Sequence, residues 1–104
     1  MSVISVYAVF ADAEEAERIG RMVVEERLSA CINILGPIRS IYRWKGAIES
    51  ATEVAAILKT TEALAETLIT RIAELHSYEV PCIVTWPIER IQGAYADWVE
   101  DSTG

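Results

Sequence analysis

Only one imidazole is available for chemistry in this chain, at His76, and the two thiols, Cys31 and Cys82, lie far apart in sequence. The pairing of interest is His76 with Cys82, six residues on, close to Tyr78 and Glu79. A thiolate with an imidazole suits Cu(I) or Zn(II). Two ligands do not close a tetrahedral site, so solvent or another chain must complete it. No H-x-x-x-H, C-x-x-C or EF-hand spacing is present. The competing reading makes His76 a helix-end residue that satisfies local carbonyls and Cys82 a small core side chain.

Other chemistries are less well equipped. Nucleophilic catalysis by Cys31 or Cys82 needs a base and an orienting third group, and His76 is the sole imidazole. The five glycines form neither a G-x-G-x-x-G nor a P-loop pattern. Lys59 precedes Thr60 and Thr61 where a helix is expected to start, so an anion could sit on its backbone N–H groups; plain capping is the alternative. Tyr42, Trp44 and Trp98 combine apolar bodies with polar handles, which suits packing at interfaces more than ligand stacking.

These residues must be positioned by a short series of elements. Residues 2–10, SVISVYAVF, read as a strand buried on both faces. Asp12 with Glu15 three residues on resembles a capping box, and Ala16, Ile19, Gly20, Val23, Val24 and Leu28 follow at helical spacing. Cys31 to Leu35 reads as a second strand, interrupted by Gly36-Pro37 and resumed from Ile38 to Trp44. Lys45-Gly46 marks a turn, and Ala47 to Lys59 returns as a third strand. Thr60 or Thr61 caps a second helix, with Leu64, Leu68, Ile69, Ile72, Ala73 and His76 on one face. Val80 to Trp86 is a fourth strand. Ile91, Tyr95, Trp98 and Val99 have the spacing of a short amphipathic helix.

The order β-α-β-β-α-β plus a terminal helix predicts an α+β, ferredoxin-like sandwich in one domain, residues 1–104. Right-handed crossovers put both long helices on one sheet face. At 104 residues and 52% apolar content the chain has ample material for a core. The net charge of −7 argues against nucleic acid as a partner, and no apolar run has the length of a membrane span. A cytoplasmic location is expected.

Size adds a further expectation. A strand of about 13 residues extends roughly 43 Å, whereas a compact chain of this size is roughly 33 Å across. The hairpin should overshoot its own domain while carrying Ile41, Tyr42, Trp44, Ile48, Val54 and Ile57. An overhanging apolar strand pair calls for another subunit; the alternative is a bent, broken hairpin that folds back on itself.

Five strings in order resemble the CutA family of divalent-cation tolerance proteins. They are Arg27 to Ile34 (RLSACINI), Ser40 to Gly46 (SIYRWKG), Glu53-Val54 leading to Ile57-Leu58-Lys59-Thr60, Leu75 to Pro81 (LHSYEVP), and Tyr95-Ala96-Asp97-Trp98. The resemblance implies a tight homotrimer whose hairpins pair between subunits, a fold akin to the PII signalling proteins, and a role in tolerance of copper and other divalent cations. It implies no enzymatic reaction and no required cofactor. Some members carry a Cys in the first strand and a His-His pair after the second helix. Here those positions read Ala8 and Leu75-His76, the family's usual Glu after the proline is Cys82, and its Pro after the histidine is Ser77. The candidate metal ligands are therefore His76 and Cys82, with Cys31, Tyr42, Trp44, Lys59, Tyr78 and Glu79 as cleft candidates between subunits. Alternatives are a PII-like small-molecule or anion sensor and a protein-interaction module using the same clefts.

Overall fold

The computed structural model describes residues 2–104. The first strand, β1 (Val3–Phe10), is central. Its even-numbered residues Ile4, Val6, Ala8 and Phe10 join the main core. Helix α1 (Ala13–Glu25) follows, and Asp12 caps it by accepting from the Glu15 N–H at 2.8 Å. Ala16, Ile19, Gly20 and Val23 form its buried stripe. The helix ends on Arg27, whose φ of +62° is the left-handed geometry glycine usually supplies. Its guanidinium offsets that cost by donating to the carbonyls of Gly104 (2.9 Å) and Asp101 (2.7 Å), which ties the far end of the chain to this corner.

β2 (Cys31–Trp44) and β3 (Ala47–Thr61) form the hairpin. Lys45 (φ +48°) and Gly46 (φ +83°) make its two-residue turn, with both residues at positive φ as a type I′ turn requires. The expected break at Gly36-Pro37 is absent, and β2 is one continuous strand. The irregularity is absorbed as a bulge, because pairing passes from Ile34 opposite Ala56 to Gly36 opposite Ala55. Leu35 is the extra residue, and Gly36 accommodates the bend at φ +108°. Pro37 is tolerated because β2 lies at the sheet edge. The bulge also puts Cys31 and Asn33 on the same face as Gly36, Ile38, Ser40, Tyr42 and Trp44.

A single 3-10 turn, Glu62–Leu64, leads into α2 (Ala65–Leu75). Neither threonine caps it by side chain as expected. Thr61 makes no such bond, and the Thr60 hydroxyl donates to the Leu28 carbonyl at 2.7 Å instead. His76 is not part of the helix; it is the C-cap, with extended backbone. β4 (Ile83–Pro87) begins three residues later than expected. α3 (Gly93–Asp101) is capped by the Gln92 side chain, which leaves Ile91 outside it.

The four-stranded antiparallel sheet has the order β2-β3-β1-β4, the ferredoxin-like arrangement. α1 and α2 pack on one face through Ile19, Val23, Leu68 and Ile72 against Val6, Phe10 and Leu58. Each such fully buried side chain contributes about 1.5–3 kcal/mol. α3 covers one end of the other face, where Val99 meets Val3 and Ala30. The molecule measures 45 × 26 × 22 Å, in keeping with the overshoot expected of the hairpin. Every residue from 41 to 50 is exposed, Ile41 at 74% and Ile48 at 63% among them.

Candidate functional site

Where the hairpin leaves the body, a cleft of about 330 Å³ opens between Tyr42 and Trp44 on one side and the connector Ser77 to Val80 on the other. A second hollow of about 320 Å³ shares Tyr42, Tyr78 and Val80 and reaches Glu53 and Cys82. Strand alternation aims Tyr42 and Trp44 the same way. The connector is held by a chain of hydrogen bonds that starts on α1.

Glu15 is the first link. One carboxylate oxygen accepts from the Ala11 N–H at 2.9 Å, just ahead of the cap, and the other accepts from the Ser77 N–H at 2.9 Å. One buried carboxylate therefore both caps α1 and anchors the end of α2. Burial pushes its pKa up, but hydrogen bonds from Ser77 and Ala11 outweigh this and hold it below the usual carboxylate value.

His76 is the second link. Its Nε2 lies 2.8 Å from the Val9 carbonyl, and its Nδ1 lies 3.0 Å from the Tyr78 N–H. A carbonyl only accepts and an amide N–H only donates. The ring is thus neutral, with its proton on Nε2. It stacks on Phe10 at 5.4 Å and meets Tyr78 at 4.8 Å, with a fully buried side chain. Both ring nitrogens are engaged, so His76 has no free lone pair for a metal. The carbonyl it satisfies belongs to β1, not to its own helix.

Tyr78 is the third link. Its hydroxyl donates to a Glu53 carboxylate oxygen at 2.7 Å, and Glu53 is only 7% exposed. Burial, then the Glu53 carboxylate, pushes the Tyr78 phenol far up. The Cys82 thiol is also pushed up, by burial and by Glu53, which makes it a weaker nucleophile at neutral pH. Cys82 is exposed and so is not the small core residue of the competing reading. At the cleft mouth, Lys45 Nζ stands 5.5 Å above the Trp44 ring and 3.9 Å from a Glu79 carboxylate oxygen.

The remaining candidates lie elsewhere. Cys31 and Lys59 are cross-strand partners at the opposite end of the hairpin from the Tyr42–Glu49 pair, roughly 33 Å along the strand. The Cys31 thiol meets the Tyr95 hydroxyl of α3 at 3.5 Å. Burial and that contact push the Tyr95 phenol to about 12. Within one chain, Cys31 and Lys59 therefore do not join Tyr42, Trp44, His76, Tyr78 and Glu79. Among the described residues, no three His, Cys, Asp or Glu side chains form a group able to hold a metal ion.

Sequence reasoning missed Glu53, the second role of Glu15 and the position of Lys45. Glu53 had a signal, since it is a lone carboxylate leading the apolar run Val54 to Leu58. No sequence signal linked Glu15 to Ser77.

The comparisons agree with this architecture. The family model described as CutA1 divalent ion tolerance protein matches residues 4–102. The divalent-cation tolerance protein CutA of Pyrococcus horikoshii is 44% identical over 100 residues, 96% of this chain and 97% of that protein. Its counterpart from Archaeoglobus fulgidus is 40% identical over 97 residues, 93% of this chain and 94% of that protein. The crystal structure of CutA from Xylella fastidiosa superposes with a TM-score of 0.96 at 31% identity, covering 100% of both chains. Sequence, fold and full-length coverage together make this chain a member of the CutA1 divalent ion tolerance protein family.

Proposed function

We propose that the chain serves in divalent-cation tolerance as a homotrimer, with cation-binding clefts completed where subunits meet. The observation that carries this reading is the Tyr78 cleft. Its two hollows are lined by two carboxylates, Glu53 and Glu79, with the exposed Lys45 at the mouth 3.9 Å from Glu79. That lining favours a cation and disfavours the anion-sensor alternative. The exposed hairpin beside it, with Ile41 and Ile48 open to solvent, supports the neighbouring subunit.

Cys82, Glu79 and Glu53 are the donors this chain offers; His76 supports the connector instead. A copper ion would be held by the thiol and a carboxylate together with groups from the next subunit. We propose no catalytic role, since the raised Cys82 thiol lacks an accompanying free base. Two unpaired thiols favour a reducing compartment, and the cytoplasm is our reading of location. Relatives are named both as chloroplastic and as periplasmic. Among the described residues no helix is long and apolar enough to cross a membrane.

The test combines light scattering with calorimetric titration of Cu(I), Cu(II) and Zn(II). The expected result is a trimer whose affinity falls about tenfold or more in Cys82→Ser or Glu79→Gln and is unchanged in His76→Gln. A monomer, or equal affinity in Cys82→Ser and Glu79→Gln, would refute the reading.

A further inference from the structure

We propose that the Tyr78 cleft is also a site for a small organic ammonium ion, with Lys45 as its built-in competitor. The proposal uses the cleft described above and is independent of whether a metal binds there.

The lining points to this ligand class. Tyr42, Trp44 and Tyr78 supply three aromatic rings around a space of about 330 Å³, within the range of small-molecule pockets. A metal ion needs lone pairs at roughly 2.0–2.5 Å, and a ring face offers none. The negative quadrupole of a ring face does attract an ammonium group, best at an indole. Glu79 at the mouth and Glu53, which lines the adjoining hollow, add negative charge, opposed at the mouth by Lys45, 3.9 Å from Glu79. The Tyr78 hydroxyl is already committed to Glu53, so the site offers a cation its charge and its rings more than free hydrogen-bond donors.

An independent observation comes from the chain's own lysine. Lys45 is fixed in the hairpin turn at φ +48°. Its ammonium lies 5.5 Å above the Trp44 ring and 3.9 Å from Glu79. An alkylammonium thus already occupies the position between the indole and the carboxylate, at the rim of the hollow. Its side chain is 71% exposed and that of Glu79 72%, so the tether is weak and can be displaced. A free ligand bearing the same head would take this place and put its apolar substituents against Tyr42 and Tyr78.

The experiment titrates the assembled protein with choline chloride and n-butylammonium chloride at constant ionic strength. The control ligand is 3,3-dimethylbutan-1-ol, the neutral carbon isostere of choline. Calorimetry and indole fluorescence report binding. At least one cation is expected to bind about fivefold or more tighter than the neutral alcohol. Lys45→Met should raise that affinity about two- to fivefold, and Trp44→Leu should lower it about fivefold. Circular dichroism confirms that each variant is folded; both positions are exposed, and the turn geometry is the same for Lys and Met. Equal binding of the neutral alcohol, no gain in Lys45→Met, no loss in Trp44→Leu, or no binding of either cation would overturn the proposal. The metal titrations of Cys82→Ser do not depend on Trp44, so failure of one reading is distinguishable from failure of the other.

Discussion

Replacing Glu15 by alanine should cost more than any other change outside the apolar core. The side chain is 5% exposed, and its two oxygens accept from the Ala11 and Ser77 N–H groups, each at 2.9 Å. A hydrogen bond to a charged group contributes about 1.5–3 kcal/mol. Ser77 is exposed, so water can take up part of that loss on one side. The expected destabilisation of Glu15→Ala is therefore about 3 kcal/mol, or roughly 12–24 °C in Tm for a domain of this size. Glu15→Gln keeps the shape but turns an NH2 toward one of the two N–H donors, for about half that loss.

The pH dependence separates this account from simple packing. The Glu15 carboxyl is held below its ordinary 4.5, because the hydrogen bonds from Ser77 and Ala11 outweigh burial. A depressed carboxyl stabilises the fold fully above its unfolded value and loses that contribution as pH falls through the folded one. The gap between wild type and Glu15→Gln should therefore be complete at neutral pH and shrink below about pH 4.5. Urea unfolding followed by far-ultraviolet circular dichroism, at one fixed protein concentration, measures it. A loss under about 1 kcal/mol in Glu15→Ala, or a Glu15→Gln gap that persists unchanged in acid, would refute the reasoning.

Two further predictions concern packing and alkaline stability. A Cβ on Gly20 would lie 2.7 Å from both Cδ1 and Cγ2 of Ile32, so Gly20→Ala should lose about 1–3 kcal/mol despite its better helix propensity. Adding Ile32→Val should recover part of this in the same urea assay, and a stabilised Gly20→Ala would contradict the close approach. The Tyr78 and Tyr95 phenols are both raised, Tyr95 to about 12 against an ordinary 10.0. The folded state thus keeps protons that the unfolded state gives up, and stability should fall as pH rises past about 10. A urea midpoint that stays level there, or an equal fall in the Tyr78→Phe, Tyr95→Phe double variant, would contradict this.

Local signals carried most of the fold. The Asp12 cap, the stripe Ala16 to Val23 and the Lys45-Gly46 turn are written in consecutive residues, and strand length set against domain size implied the overhang of the hairpin. Errors came where a distant group changed a local choice. Thr60 was a reasonable cap until Leu28 offered it a carbonyl from another element. Gly36-Pro37 would break an inner strand, but an edge strand absorbs it as a bulge. The site was legible in half. Within one chain Tyr42, Trp44, Tyr78 and Glu79 gather, while Cys31 and Lys59, expected at a cleft between subunits, lie at the other end of the hairpin, Cys31 against Tyr95 of α3. His76 looked like a ligand because a lone histidine has no sequence mark for a bond to Val9, 67 residues away.

The extra residue at Leu35 makes the hairpin sensitive to the parity of its length. Losing one residue from β2 between the bulge and the turn would not simply remove a side chain. It would send Ile41 and Arg43 to the cleft and turn Tyr42 and Trp44 to the opposite face. Losing two would shorten the arm and leave every face as it was. Along this stretch of gene, then, deletion of a single codon should dismantle the cleft while deletion of two preserves it.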